Sequence, residues 1–132
     1  MTTLTTFSQP ADKGQVFVYF GWRFDIDAAE RLLNATPRTG HRIEVASTAR
    51  VTGIDASGFP DGAVPLTRPR IDTDHAMRTD LCEPLMVATL TDPEMHLLID
   101  GYHRLYRAWH EKVTDLPALV LTAEETRVIR LT

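Results

Sequence analysis

The side chains in this sequence that are best suited to chemistry lie together in five consecutive residues, Asp100-Gly101-Tyr102-His103-Arg104. A glycine lets the backbone approach a ligand closely, and the first N–H groups of a helix have no partner within the helix. The helix dipole is also positive at that end. An imidazole and a guanidinium in such a first turn therefore predict a site for a phosphate or a carboxylate.

An apolar run and an amphipathic segment must position these five residues. Met95–Ile99 is apolar apart from His96, and it stops at Asp100, which is typical of a strand ending in a turn. Beyond the turn, a helix to about Lys112 is predicted by apolar side chains at i, i+3, i+4 and i+7, namely Tyr102, Leu105, Tyr106 and Trp109. The sequence therefore predicts a strand, a tight glycine turn and a helix.

Each candidate residue also has a structural interpretation. Asp100 is either a catalytic group or the N-cap of the helix, and the sequence favours neither. His103 and Arg104 are interpreted as phosphate ligands rather than as a merely polar first turn, because the glycine turn precedes them. Tyr102 lies on the apolar stripe, so a place in the core or in a pocket wall is favoured over chemistry.

A second polar cluster, Asp72-x-Asp74-His75 with Asp80 behind it, has the composition of a site for hard cations. Acidic side chains in a first turn are also favoured by the helix dipole, so a capped short helix is the preferred interpretation. No metal ligand is assigned on this basis. Cys82, the single cysteine, is interpreted as a small half-buried residue rather than a nucleophile.

The composition is that of a globular protein with 43% hydrophobic and 24% charged residues, and 132 residues predict one domain. A net charge of −4 gives no general attraction to nucleic acid, so nucleic-acid binding is not expected. A single cysteine allows no internal disulfide, and no segment has the pattern of a signal peptide or a membrane helix. The expected location is the cytoplasm, away from membranes.

The rest of the chain alternates between patterned and irregular segments. In the first half we expect a loose tail over 1–14, a strand over 16–20 buried on both faces, a helix from Asp25 or Asp27 to about Leu33, one or two strands over 42–51, and a long functional or mobile loop over 53–70. In the second half we expect a short helix over 71–78 started by Asp72 or Thr73, a hairpin of strands 84–90 and 95–99, a strand over 116–121 and a last helix over 123–130.

The second half resembles the ParB/sulfiredoxin superfamily over about residues 64–131. The resemblance lies in the order and spacing of three motifs: Glu83-Pro84-Leu85-Met86-Val87, then Leu98-Ile99-Asp100-Gly101-Tyr102-His103-Arg104-Leu105, then Leu116-Pro117-Ala118-Leu119-Val120. It implies an α+β fold, a small mixed sheet with flanking helices, to which an unmatched part over 15–63 would add an N-terminal β-α-β extension. Segment 64–70 is similar to the family's first strand.

The resemblance also implies a nucleotide site at the Asp-Gly-Tyr-His-Arg helix start. Phosphates of ATP, ADP or CTP would be held at Gly101, Tyr102, His103 and Arg104, and Arg68 and Arg70 would reach them from the preceding loop. Asp100, His103 and Arg104 would be the catalytic residues. At the edge of the site Asp100 would hold Mg²⁺ or act as a base.

Two departures narrow what the resemblance can imply. Sulfiredoxin chemistry needs a thiolate where this chain has Tyr102, and a phenol cannot replace it, so sulfiredoxin activity is not expected. Partitioning ParB proteins carry a helix-turn-helix domain after this fold, whereas this chain ends at Thr132. Centromere binding by this chain alone is therefore not expected either.

Three hypotheses follow. The first is nucleotide hydrolysis or phosphoryl transfer to a small-molecule acceptor, for which an arginine and Mg²⁺ supply the needed charge stabilisation. The second is a non-catalytic module of a plasmid, phage or defence system that binds a protein partner. The third is a nuclease, which the acidic net charge argues against.

Overall fold

The structure, a computed structural model, describes residues 3–4, 14–57 and 70–132. Outside the described residues lie most of the tail predicted over 1–14 and most of the loop predicted over 53–70. The same is true of the family-like segment 64–70 except for Arg70. The elements are β1 (Thr3–Leu4), β2 (Val16–Tyr19), β3 (Trp22–Asp25), α1 (Ile26–Ala35), β4 (Arg38–Thr39), β5 (His41–Glu44), α2 (Val45–Thr52), α3 (Thr73–Ala76), β6 (Leu85–Leu90), β7 (Met95–Asp100), α4 (Tyr102–His110), β8 (Asp115–Val120) and α5 (Ala123–Ile129).

A four-stranded mixed sheet in the order β5-β8-β6-β7 forms the centre of the fold. Strands β6 and β7 form the predicted antiparallel hairpin, β8 runs parallel to β6, and β5 pairs antiparallel with β8. Two further strand pairs, β1–β4 and β2–β3, lie outside this sheet. The α+β class predicted from the sequence is confirmed.

Alternating residues of the sheet bury its two faces in two separate cores. One core contains Met86, Ala88 and Ile99 and includes Ile26 and Leu33 of α1. The other contains Leu85, Val87, Leu98 and Ala118 and is covered by buried residues of α2 and α4, among them Ala49, Leu105 and Ala108. Because successive strand residues point to opposite faces, β6 contributes to both cores. The sheet is therefore the middle of three layers.

Side-chain caps start α1, α3 and α5 where the sequence predicts these helices. The Asp25 carboxylate accepts a hydrogen bond from the Ala28 N–H at 3.0 Å, and Asp72 accepts one from the His75 N–H at 3.1 Å. Thr122 and Glu125 form a reciprocal capping box at the start of α5. Each cap satisfies an N–H that has no partner within its helix.

The prediction of strands over 42–51 is wrong beyond Glu44, because Val45–Thr52 is helix α2. Val45 and Ala49 are one helical turn apart and are both buried. The Thr48 and Thr52 hydroxyls donate to the carbonyls of Glu44 and Thr48, at 2.6 Å and 2.8 Å. These bonds suit β-branched threonines to a helix, which ends at Gly53 in the left-handed conformation with φ 83°.

The strand predicted over 16–20 is present but is not buried on both faces. It is half of a hairpin with β3, a strand not predicted from the sequence. Phe17 and Tyr19 face inward and are half-buried, whereas Val18 is 60% exposed. An unbroken apolar run is typical of a strand buried on both faces, but here one face of the strand is open to solvent. The prediction of a central strand is therefore wrong.

Arg38 joins three elements in a half-buried junction. Its guanidinium donates to both carboxylate oxygens of Glu125, at 2.8 Å and 2.9 Å, and also to the carbonyls of Leu32 and Val120. The two side chains are 13% and 21% exposed, so water screens the pair only weakly. Donation by Arg38 also lowers the pKa of the Glu125 carboxyl below its ordinary value.

Replacing Arg38 with methionine is expected to lower the free energy of unfolding by about 2 kcal/mol, since several charge-assisted hydrogen bonds are lost together. Arg42→Met is the matched control, because Arg42 pairs with Asp115 at 63% and 41% exposure and should contribute only about 0–1 kcal/mol. Urea unfolding measures both variants. Equal losses in the two would contradict this account of the junction.

Candidate functional site

Gly101 makes the turn between β7 and α4 under two constraints. Its φ of +105° lies in a region that residues with a side chain rarely adopt. A Cβ at this position would lie 2.4 Å from Leu85 Cδ2 and 2.9 Å from Arg104 Nη2. Gly101 is itself the N-cap, and no side chain caps the helix start. The interpretation of Asp100 as the N-cap is therefore wrong.

Asp100 and Arg104 form an ion pair across this turn. Arg104 Nη2 donates to Asp100 Oδ2 at 3.4 Å and to the Pro84 carbonyl at 3.1 Å. Gln15 Nε2 donates to the other Asp100 oxygen at 3.2 Å. The arginine and aspartate side chains are only 15% and 23% exposed. The carboxylate therefore offsets much of the positive charge that an anion would meet here.

The guanidinium of Arg104 is not fully satisfied. Its Nε is buried and has no hydrogen-bond partner among the described residues. A buried donor without an acceptor costs about 1–3 kcal/mol, so native structures usually supply one. The Nε is thus the donor in this turn that most clearly lacks an acceptor.

His103 contacts α3 rather than the Asp100–Arg104 pair. Its Nε2 accepts the Asp72 N–H at 3.2 Å, and its ring packs edge-to-face on His75 with 4.7 Å between centroids. Burial, the neighbouring His75 and Arg104 together lower the pKa of His103 against the opposing effect of two carboxylates. The neutral ring therefore has one remaining N–H that could contact a ligand.

Tyr102 is part of a wall. Its hydroxyl donates to the Leu98 carbonyl, and its ring stacks on Phe17 with 5.5 Å between centroids. Burial raises the pKa of the phenol far above its ordinary value, so the side chain stays protonated. Of the polar groups of Tyr102, the backbone N–H is the one that remains available to contact a phosphate.

The other predicted ligands are less well defined. Arg70 is exposed and precedes α3, whereas Arg68 lies outside the described residues. Within the described ranges, no three His, Cys, Asp or Glu side chains are grouped so that they could hold a metal ion. Asp72 caps α3, and Asp80 accepts the Cys82 N–H at 2.8 Å. The Cys82 side chain is exposed, not half-buried as predicted.

A second feature, a cavity of about 680 Å³, was not foreseen from the sequence. It has Tyr102 on its wall and more than half of its lining in the N-terminal part of the chain. The lining residues belong to elements that are far apart in sequence. One of these elements, helix α2, was predicted as a strand. The long-range pairing of β5 with β8 and the stacking of Phe17 on Tyr102 bring these segments together.

No protein-family model, curated protein or solved structure matches the chain. Among the helices of the described residues, none is long and apolar enough to cross a membrane.

Gly101→Ala is expected to cost more than about 2 kcal/mol of stability, since it combines an unfavourable φ with a clash against Leu85. Gly21→Ala is the control, because a Cβ there meets nothing within 4 Å and its φ is unexceptional. Thermal or urea unfolding of both variants measures the difference. A tolerated alanine at position 101 would show that the turn does not need glycine.

His103 is expected to make stability depend on pH. Because its pKa is lowered in the fold, the unfolded chain takes up this proton first as the pH falls below about 6.5. Wild type should therefore lose stability relative to His103→Gln between about pH 7.5 and about pH 5.5. Protonation would also remove the acceptor for the Asp72 N–H and place a cation beside His75 and Arg104.

The measurement is Tm against pH for wild type, His103→Gln and the control His110→Gln. His110 lies at the exposed end of the same helix and stacks on Tyr106. A Tm difference between wild type and His103→Gln that does not change with pH would contradict the assignment.

Proposed function

We propose that this chain binds a nucleotide in a ParB/sulfiredoxin-like fold, and that it hydrolyses the nucleotide or transfers a phosphoryl group from it. The phosphates would be held at the start of α4. The observation that carries the proposal is the buried Arg104 Nε, which lacks a partner beside a helix start that no side chain caps.

The backbone at this helix start is suited to an anion. The first-turn N–H groups have no partner within the helix, and the dipole adds a positive potential. Because Gly101 has no side chain, the Arg104 guanidinium lies directly against the turn, beside the first-turn N–H groups that would face a phosphate. These features support phosphate binding independently of any family resemblance.

Asp100 gives the proposed site a means of responding to its ligand. A phosphate that takes over the Arg104 donors would compete with the Asp100 carboxylate, which is now 3.4 Å from Nη2. The released carboxylate could then act as a base or contribute to Mg²⁺ binding. Mg²⁺ is usually held by one or two protein carboxylates together with the phosphates of the substrate, so a single carboxylate here fits its needs. When bound, the ion would neutralise phosphate charge.

The acceptor of a phosphoryl group would be a small molecule or water. His103 would act here through its remaining N–H and by holding α3 against α4, and Arg104 would stabilise negative charge as the phosphoryl group moves. Arg70 would contribute from the segment before α3, as the resemblance implies.

A second candidate function is a protein-interaction module. Apolar side chains are exposed on the β2–β3 hairpin, with Val18 at 60%, Phe20 at 66% and Trp22 at 38% exposure. Exposed apolar clusters of this kind often mark protein contacts. A stable complex with a partner protein, together with no nucleotide affinity, would favour this function over the first.

The direct test is thermal unfolding with ATP, ADP and CTP, each with and without Mg²⁺. A ligand at about 100 times its Kd stabilises by about 2.7 kcal/mol, which is on the order of 10 °C for a chain of this size. The shift should appear with one base and should be lost in Arg104→Met. Arg107→Met, in the same helix and paired with Glu111, is the control and should keep the shift.

Asp100→Asn separates binding from catalysis. It removes the carboxylate charge but keeps the shape, so it should retain or increase the thermal shift while phosphate release or transfer is lost. If no nucleotide shifts the Tm of wild type at millimolar concentration, the nucleotide proposal fails.

A further inference from the structure

The cavity on the α2 side of the sheet is bounded by the central sheet, by helix α2 and by strand β2 together with Tyr102 of α4. Its floor is one row across the sheet, since Val87 pairs with Val120 on one side and with Leu98 on the other. One wall is α2, which presents Ser47, Thr48, Val51 and Thr52, and the opposite wall is β2 with Tyr102. At about 680 Å³ it has the size of pockets that hold small molecules.

The walls are fixed by contacts that do not involve a ligand. Tyr102 is held by stacking on Phe17 and by its hydrogen bond to the Leu98 carbonyl. Thr48 and Thr52 are held by hydrogen bonds to the backbone of their own helix. The cavity is therefore already formed, and a ligand would not have to order it at an entropic cost.

The lining limits the chemistry of an occupant. Among the described lining residues there is no Asp, Glu, Lys or Arg, and the titratable groups are the imidazoles of His41 and His96 and the two phenols. Thr48 and Thr52 donate their hydroxyl protons to backbone carbonyls, so each oxygen offers only acceptor capacity to a ligand. A nucleotide triphosphate would find no lysine or arginine among these lining residues, whereas an uncharged molecule loses little on entering.

We propose that this cavity is a binding site for an uncharged, largely apolar small molecule that carries a hydrogen-bond donor such as a hydroxyl or amide. The site is separate from the start of α4 and stands whether or not a nucleotide binds there, since Tyr102 is the only one of the described residues that the two share. Apolar burial against the sheet row would supply most of the affinity, and the threonine oxygens would orient the donor.

The first experiment uses the neutral fluorescent probe N-phenyl-1-naphthylamine, which has an aromatic body and one N–H donor. Wild type should bind it saturably with one probe per chain. Thr48→Trp, which fills the cavity from the α2 wall, should weaken binding at least about tenfold. Arg50→Trp adds the same side chain at an exposed position of the same helix, outside the lining, and should leave the affinity within about twofold.

The second experiment locates the probe in wild type and so does not depend on a variant that folds. Methyl resonances of Ile43, Val87 and Val120 should shift on titration, whereas Val128, exposed on α5, should not. Mg²⁺-ATP should not displace the probe. The proposal would be overturned by non-saturable binding, by equal affinity in the two tryptophan variants, or by shifts centred on Val128. None of these outcomes bears on the nucleotide test.

Discussion

The close approach of the β7–α4 turn to β6 is the constraint on which the candidate site depends. Leu85 of β6 occupies the space where a Cβ of residue 101 would lie, so the turn must be made by glycine. The left-handed conformation of Gly101 then sets the direction of α4. From that direction follow the position of Arg104 over the turn, the position of His103 against α3 and that of Tyr102 against Phe17.

Two arginine–carboxylate pairs in this fold illustrate different uses of the same chemistry. The five donor contacts of Arg38 go to the two carboxylate oxygens of Glu125 and to three backbone carbonyls, and Glu125 also closes a capping box. The Arg104 pair is longer and leaves Nε without a partner in the described part of the chain. The first is a satisfied structural junction, and the second has a donor left over for a ligand.

The sequence predicted the elements whose signals are local. Asp25 and Asp72 are caps because an acid before a helix accepts a first-turn N–H, and the β6–β7 hairpin and α4 follow from short-range patterns. Helix α2 was missed because its valines and threonines alternate like a strand, and the signal that could have corrected this was Gly53 at its end. The partners of His103 and the cavity depend on tertiary contacts that no local pattern encodes.

The pairing of β5 with β8 has a consequence for how the chain folds. His41 lies opposite Ala118, so an edge strand from the first half of the chain can join the central sheet only after the last strand has been synthesised. Phe24 likewise bridges to Arg130, close to the other end. Contacts so distant in sequence slow folding, because a long loop must close before they form. On the ribosome β5 would therefore remain unpaired with the sheet until β8 had emerged, and the apolar β2–β3 hairpin would be open to other proteins during that time.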